Sequence, residues 1–171
     1  MIACFDVHYD NGSANAAGIM FHQWHDEAPA DQLMIRVSDV GDYQAGSFYK
    51  RELKPLRELL PLITYPIQYF VIDAYCHLSE DDSPGLGAYL YELLPVGSIV
   101  IGVAKNRFRN TSHAFELFRG SSSRPLFITS IGMDYQCAAA HVQSMAGNHR
   151  IPTLLKTVDR LSRSDTFSSS I

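Results

Sequence analysis

Two segments of the chain, residues 68–73 and 98–104, are apolar at almost every position. Neither alternates between apolar and polar residues, so we expect strands buried on both faces, as in the parallel part of an α/β sheet. Before them, residues 2–8, 15–22 and 32–39 predict three strands of an antiparallel meander. The first two are separated by Asp10-Asn11-Gly12, a strong turn signal.

Helical periodicity predicts four helices, at residues 47–60, 85–93, 134–146 and 152–163. Asp134 is suited to cap the third, and Pro152 to lie in the first turn of the fourth. Residues 114–119 and 125–130 predict a hairpin around a run of serines. Three antiparallel strands followed by alternating helices and strands predict an α/β domain with a mixed sheet, the order of the ribonuclease H-like fold.

The length of 171 residues suits one domain, predicted over residues 1–165, with a frayed tail at 166–171. The chain has no apolar run long enough to span a membrane, and its first residues do not resemble a signal peptide. Its three cysteines form no CxxC pair, which favours reduced thiols in a cytoplasmic protein. We expect a cytoplasmic monomer.

Charge is distributed unevenly along the chain. Residues 1–104 contain 5 Lys and Arg against 14 Asp and Glu, whereas residues 105–171 contain 9 against 4. This separation would suit a protein that holds metal ions with one part and phosphates with the other. Ordinary scatter of surface charge explains it equally well.

Two aspartates follow buried strands: Asp6 after the apolar run 2–5, and Asp73 after the run 69–72. If these strands are parallel neighbours, the two carboxylates lie side by side at the strand ends, where open α/β sheets bind ligands. Adjacent carboxylates repel, and a divalent cation relieves the repulsion. For either aspartate alone, helix capping or an ion pair with arginine is the alternative.

Glu52 lies within the apolar stripe of the first predicted helix, between Tyr49 and Leu56. An acid on the inner face of a helix needs a partner, which the Asp6–Asp73 pair and a cation would supply. The alternative is a glutamate that reaches solvent from the edge of the stripe. Asp159 flanks the inner face of the last helix, where a solvated side chain is at least as probable from spacing alone.

Lys105 follows the strand at 98–104 and so stands at the same end of the sheet as the acids. It could neutralise a phosphate or a developing oxyanion, or be an ordinary surface lysine. A few carboxylates with open positions for water and phosphate are typical of Mg²⁺ sites. His22 and His25 have no further ligand at zinc spacing, so we expect no zinc site there.

Five blocks of the chain, in order, resemble motifs of the endonuclease V family, which nicks DNA or RNA near deaminated adenine (inosine). Residues 5–9 resemble its Val-Asp-Val-x-Tyr strand, and residues 43–52 its Tyr-x-Pro-Gly-x-x-x-x-Arg-Glu block. Residues 71–73 match the strand before its Asp-Gly-His-Gly loop, and residues 101–105 its Gly-Val-Ala-Lys block. Residues 150–163 resemble its closing Arg-Leu-Pro helix.

The resemblance implies a ribonuclease H-like nuclease that uses Mg²⁺, or Mn²⁺ as a substitute, and acts in DNA repair. Metal ligands fall on Asp6, Glu52 and Asp73, with Asp159 as a fourth acid and Lys105 as the active-site lysine. Substrate contacts fall on four residues: Tyr43, Gly46, His77 and Gly102. Five arginines are candidates for contacts with the nucleic-acid backbone: Arg107, Arg109, Arg119, Arg124 and Arg163.

The chain departs from the family in the segments around the metal ligands. Of the family's Pro-Tyr-Ile-Pro wedge, Tyr43 remains to stack on a base. Ala74-Tyr75-Cys76 replaces the Gly-His-Gly that follows the strand-end aspartate and helps form the lesion pocket. These departures leave two alternatives to an inosine-directed nuclease: a nucleic-acid-binding protein with weak or lost catalysis, or a nuclease for another lesion or structure.

Overall fold

The structure, a computed structural model, describes residues 1–10, 12–38, 48–109 and 111–164, without the side chains of residues 48–52. These parts contain a seven-stranded mixed sheet and helices on both of its faces. The strands are β1 (Ile2–Asp10), β2 (Ser13–Phe21), β3 (Asp31–Ser38), β4 (Tyr69–Ile72), β5 (Ile99–Ala104), β6 (Phe115–Leu117) and β7 (Leu126–Ile131). The helices are α1 (Phe48–Leu59), α2 (Leu86–Tyr91), α3 (Tyr135–Ser144) and α4 (Thr153–Ser162).

The strand order is β3-β2-β1-β4-β5-β7-β6. The meander β1–β2–β3 is antiparallel, and β1, β4 and β5 are parallel, as the sequence predicts. At the other side, β7 pairs antiparallel with both β5 and β6. The three parallel strands therefore occupy the middle of the sheet, and their carboxyl ends lie at one edge.

Successive side chains of a strand point to opposite faces of the sheet, so the apolar residues are divided between two cores, one on each face. Cys4, Val71 and Ile101 point to the core completed by α3 and α4. Phe5, Ile72 and Val100, their neighbours in sequence, belong to the core on the other face, where Leu56 and Leu59 anchor α1. Every second residue at the carboxyl ends of the parallel strands thus faces α4.

The main differences from the sequence prediction are at element ends. β1 continues to Asp10 because the β1–β2 ladder extends to the pair Asp10–Ser13, and the Ser13 hydroxyl donates to the Asp10 carbonyl. α2 is shorter than predicted, because the amides of Leu93 and Leu94 donate to carbonyls three residues back and form turns. Asp134 caps α3 as predicted, by accepting from two backbone amides.

The three cysteines are free. Cys4 and Cys76 are buried, and burial raises the pKa of both thiols, that of Cys76 to about 12, so neither is a reactive thiolate. No helix in the described parts of the chain is long and apolar enough to cross a membrane.

Candidate metal and active site

The register of β1 and β4 brings Asp6 and Asp73 together. The parallel ladder pairs Phe5 with Ile72, the last residue of β4, so the next residue on each side is an aspartate. β1 continues past this point because β2 still pairs with it, whereas the chain leaves β4 at Asp73. The predicted side-by-side placement of the two carboxylates is therefore what the structure shows.

A third carboxylate comes from α4. Leu154 and Val158 are buried in the core under this helix, and Asp159, the next residue, stands over the strand ends. One oxygen from each of Asp6, Asp73 and Asp159 can be chosen so that all three lie within 4.8 Å of one another. Three elements distant in sequence thus converge on one group of hard oxygen donors.

Two cations neutralise part of this group. The Lys105 ammonium forms an ion pair with Asp73, and its Nζ lies 3.6 Å from Oδ1 of Asp159. Arg163, the residue that follows α4, donates to both oxygens of the Asp159 carboxylate, at 3.1 and 3.3 Å. Lys105 therefore lies inside the acid group, while Arg163 holds Asp159 from its outer side.

Ser162 is a site residue that the sequence did not single out. It is fully buried, and its hydroxyl contacts Oδ2 of Asp6 and lies 2.8 Å from the Asp159 carbonyl oxygen. A hydroxyl has one proton, so it donates to one of these acceptors at a time. The available signal was spacing, because Ser162 follows Leu154 and Val158 at intervals of four on the inner face of α4.

The pKa values of the site reflect burial and mutual charge. Burial raises the pKa of the Asp6 carboxyl, and the charges of Asp73 and Asp159 add to this, while the Ser162 hydroxyl opposes it. For Asp159, burial is outweighed by Arg163 and Lys105, which hold its pKa below the ordinary value. Burial is likewise outweighed at Lys105, whose pKa is raised by its ion pair with Asp73 and by the other two aspartates. Lys105 therefore stays charged.

Glu52 lies in α1, but its side chain falls outside the described residues, as do Tyr43 and Gly46 entirely. α1 packs on the face of the sheet opposite α4. A cleft lined by Asp6, Asp73 and Leu56 opens toward this helix, and a second cleft, on the α4 side, is lined by the same two acids with Asp159. Asp6 and Asp73 thus line clefts toward both helices.

The other two predicted substrate residues have contacts of their own. Nδ1 of His77 lies 2.8 Å from the Tyr135 hydroxyl, and the His77 carbonyl accepts from His113. Gly102 is buried in β5, where an added Cβ would lie 2.4 Å from the Ala74 carbonyl oxygen. Its missing side chain lets the loop after Asp73 pack directly on the sheet.

Five arginines were predicted to contact the nucleic-acid backbone, and for Arg119 the prediction is wrong. This arginine is 3% exposed, and its guanidinium donates to the carbonyls of residues 145, 147, 149 and 150, so it holds the segment before α4. Arg107 pairs with Glu116, and Arg163 with Asp159. Arg109 and Arg124 are exposed, and Arg124 donates to the Asn106 side chain.

Comparison with known proteins found similar folds among solved structures. No protein-family model matches the chain, and no curated protein matches it either. Human ENDOV is similar over 95% of this chain and 82% of its own, with 20% identity and a TM-score of 0.76. Endonuclease V from Streptomyces avermitilis covers 95% of this chain and 79% of its own, at 22% identity and a TM-score of 0.73.

A third similar structure is endonuclease V from Bacillus subtilis, with 15% identity and a TM-score of 0.69 over 94% of this chain and 77% of its own. At these identities the likeness concerns the fold. The chain therefore has the fold of the endonuclease V structures, a ribonuclease H-like mixed sheet flanked by helices.

Proposed function

We propose that this protein is a Mg²⁺-dependent endonuclease that hydrolyses a phosphodiester bond in DNA or RNA near a deaminated base such as inosine, in DNA repair. The observation that carries the proposal is the convergence of Asp6, Asp73 and Asp159 beside Lys105, in the fold of endonuclease V. A cluster of like charges at strand ends is costly to the fold, and this cost is explained if the cluster binds a cation.

The donor set fits Mg²⁺, with Mn²⁺ as a substitute. Its oxygens are carboxylates, the ligands that both ions accept, and the group found among the described residues includes no His or Cys. In this proposal Asp6, Asp73 and Glu52 hold the metal, with Asp159 completing or supporting the site. The bound ion would supply charge neutralisation at the phosphate and lower the pKa of a water molecule.

The chain's own groups supply the remaining parts of the mechanism. Lys105 presents an ammonium at the acid group, where it can bind a phosphate oxygen and stabilise negative charge on the leaving oxygen. Arg163 orients Asp159, and the Ser162 hydroxyl orients Asp6 and opposes the rise in its pKa. These contacts keep the acids in place before substrate arrives.

Substrate contacts are proposed for residues beyond this group. Tyr43 would stack on a base beside an opened nucleotide, and Gly46, His77 and Gly102 would lie near the substrate, as the motif resemblance implies. Arg109 and Arg124, both exposed, are proposed to contact phosphates. The free cysteines support a reducing compartment, and we propose a cytoplasmic monomer.

Labelled oligonucleotides test the proposal. Single- and double-stranded DNA and RNA, each with and without inosine, are incubated with the protein in Mg²⁺ or in EDTA, beside an active endonuclease V. We expect Mg²⁺-dependent nicking, absent with Asp73→Asn and retained with Glu27→Gln, an exposed acid at the far end of the sheet. No nicking of any substrate would refute the enzymatic claim.

A second candidate is a nuclease for another lesion or nucleic-acid structure. It is favoured by Tyr75 and Cys76, which stand where the family motif has the His-Gly of Asp-Gly-His-Gly and are both buried. The same substrate panel separates the two candidates, because this one predicts Mg²⁺-dependent nicking that does not depend on inosine. Binding without nicking would instead support a nucleic-acid-binding protein that has lost catalysis.

A further inference from the structure

Lys105 begins the turn that follows β5. It is held in place through its backbone as well as through the ion pairs of its side chain. Arg150, in the segment before α4, donates from one guanidinium nitrogen to the carbonyl of Lys105 and to the carbonyl of Pro125, the latter at 2.7 Å. This contact joins the residue that follows β5 to the residue that precedes β7. It fixes one side of the Lys105 backbone.

Tyr75 fixes the turn from the other side. Its hydroxyl accepts a hydrogen bond from the Phe108 amide at 3.2 Å and donates one to the Asn106 carbonyl at 3.0 Å. Asn106 is the residue after Lys105, and Tyr75 lies two residues after Asp73. One hydroxyl therefore joins the loop that carries Asp73 to the turn that carries Lys105.

The base of the Tyr75 loop is itself fixed on the sheet. The Cys76 amide donates to the Thr129 hydroxyl at 2.8 Å, and the loop packs so closely on β5 that Gly102 has no room for a Cβ. The Tyr75 ring, in a residue 7% exposed, packs with Phe127 and Phe108. The hydroxyl is thus held at a defined position relative to Asp73.

We propose that Tyr75 is a positioning residue, whose hydroxyl sets the placement of the Lys105 ammonium relative to Asp73 and Asp159. This inference rests on the proposed function, in which Lys105 acts on the phosphate. Tyr75 does not touch the acids, and it acts through the backbone of residues 106–108. A purely structural role, in which the ring fills the small core around Phe127, is the competing explanation.

The variant Tyr75→Phe separates these explanations, because it keeps the ring and removes the hydroxyl. Ser98→Ala is the matched control: Ser98 is also buried, its hydroxyl donates to the Pro95 carbonyl at 2.7 Å, and it lies just before β5, at the end away from Lys105. Each variant loses one side-chain-to-backbone donation, and Tyr75→Phe also loses the hydrogen bond that its hydroxyl accepts from the Phe108 amide. A fall in kcat caused by lost stability alone would therefore appear in Ser98→Ala as well, in proportion to its loss of unfolding free energy.

Nicking kinetics in Mg²⁺ are measured for the wild type and both variants, well below their unfolding temperatures. We expect kcat of Tyr75→Phe to fall roughly tenfold, because a small misplacement of a catalytic group is costly, while KM stays within about twofold. Affinity for Mg²⁺, measured by calorimetry, should be unchanged. Equal kcat for Tyr75→Phe and wild type, or an equal fall in Ser98→Ala, would overturn the proposal.

Amide hydrogen exchange, followed by NMR, tests the hydrogen bond between the Phe108 amide and the Tyr75 hydroxyl independently of nicking activity. The Phe108 amide should exchange at least about tenfold faster in Tyr75→Phe than in wild type, and at the wild-type rate in Ser98→Ala. If the wild type nicks nothing, the proposed function has failed and the catalytic part of this inference with it. Unchanged exchange at Phe108 in an active enzyme would overturn the inference alone.

Discussion

Replacing Asp73 by asparagine should stabilise the protein when no metal is added. At 4.8 Å, the upper bound on the separations among the three ligand oxygens, two unit charges repel by roughly 3.5 kcal/mol at an effective dielectric constant of about 20. Asp73 has two such neighbours, Asp6 and Asp159, which gives a repulsion of about 7 kcal/mol. Its ion pair with Lys105 offsets about 6 kcal/mol at the same dielectric constant, for the N–O separation of about 2.8 Å that is usual in such a pair.

The balance is a small net repulsion of about 1 kcal/mol, reduced further by solvent because the Asp73 side chain is 32% exposed. After screening we expect Asp73→Asn to gain about 0.5 kcal/mol of unfolding free energy. For a chain of this size that raises Tm by roughly 1–2 °C. The substitution preserves shape, so packing contributes little to the difference.

Thermal unfolding at pH 8 measures this in EDTA and again in Mg²⁺. When Mg²⁺ is at a hundred times its dissociation constant, the free energy of unfolding of the wild type should rise by about 2.7 kcal/mol, whereas that of Asp73→Asn should rise hardly at all. The order of the two Tm values therefore reverses between the buffers. Glu27→Gln, with the same change of charge far from the site, should gain as much from Mg²⁺ as the wild type does.

Two results would refute this reasoning. If Asp73→Asn is less stable than the wild type in EDTA, Asp73 is a structural partner of Lys105 and the carboxylate cluster is not under repulsion. If Mg²⁺ stabilises Asp73→Asn as much as the wild type, the ion does not bind at this aspartate.

Three further predictions follow from other parts of the molecule. Gly102→Ala should lower the free energy of unfolding, measured in urea, by about 2–4 kcal/mol. The added Cβ would lie 2.4 Å from the Ala74 carbonyl oxygen, so one of the two backbone segments would have to shift; an unchanged free energy of unfolding would contradict this packing. Arg119→Met should lower the free energy of unfolding by about 3–5 kcal/mol, because buried carbonyls would be left without donors. Arg57→Met, on the exposed side of α1, should leave the free energy of unfolding almost unchanged. Burial lowers the pKa of His141 below 6.5, so the unfolded chain binds the proton more readily, and stability should fall as pH drops through 6.5 toward the folded pKa. His141→Gln should flatten the curve of Tm against pH in that window; an unchanged curve would exclude His141 as its source.

The sequence predicts most of the sheet because its strongest signals are local. Continuous apolar runs identified β4 and β5, and parallel pairing then put Asp6 beside Asp73. Asp159 was undecided from helical spacing, because the spacing gives the face of a helix but not its position over the sheet. The packing of Leu154 and Val158 determines that position.

The residues that escaped prediction are those whose importance depends on contacts between distant segments. Ser162 reads as an ordinary small residue until α4 is placed against β1, 156 positions earlier in the chain. Tyr75 reads as a departure from a motif until its hydroxyl is seen at the turn after β5. Arg119 was predicted to contact the nucleic-acid backbone, because its carbonyl partners all lie in one later segment that the sequence does not place beside it.

The placement of Asp159 on α4 has a consequence for the synthesis of the protein. Asp6, Asp73 and Lys105 leave the ribosome before the third acid of the cluster and its supporting Ser162, which belong to the last helix described, Thr153–Ser162. A growing chain can pair its central strands before this helix exists. The proposed nuclease centre is completed only when α4 has emerged and docked, so an unfinished chain near messenger RNA would lack the complete acid cluster.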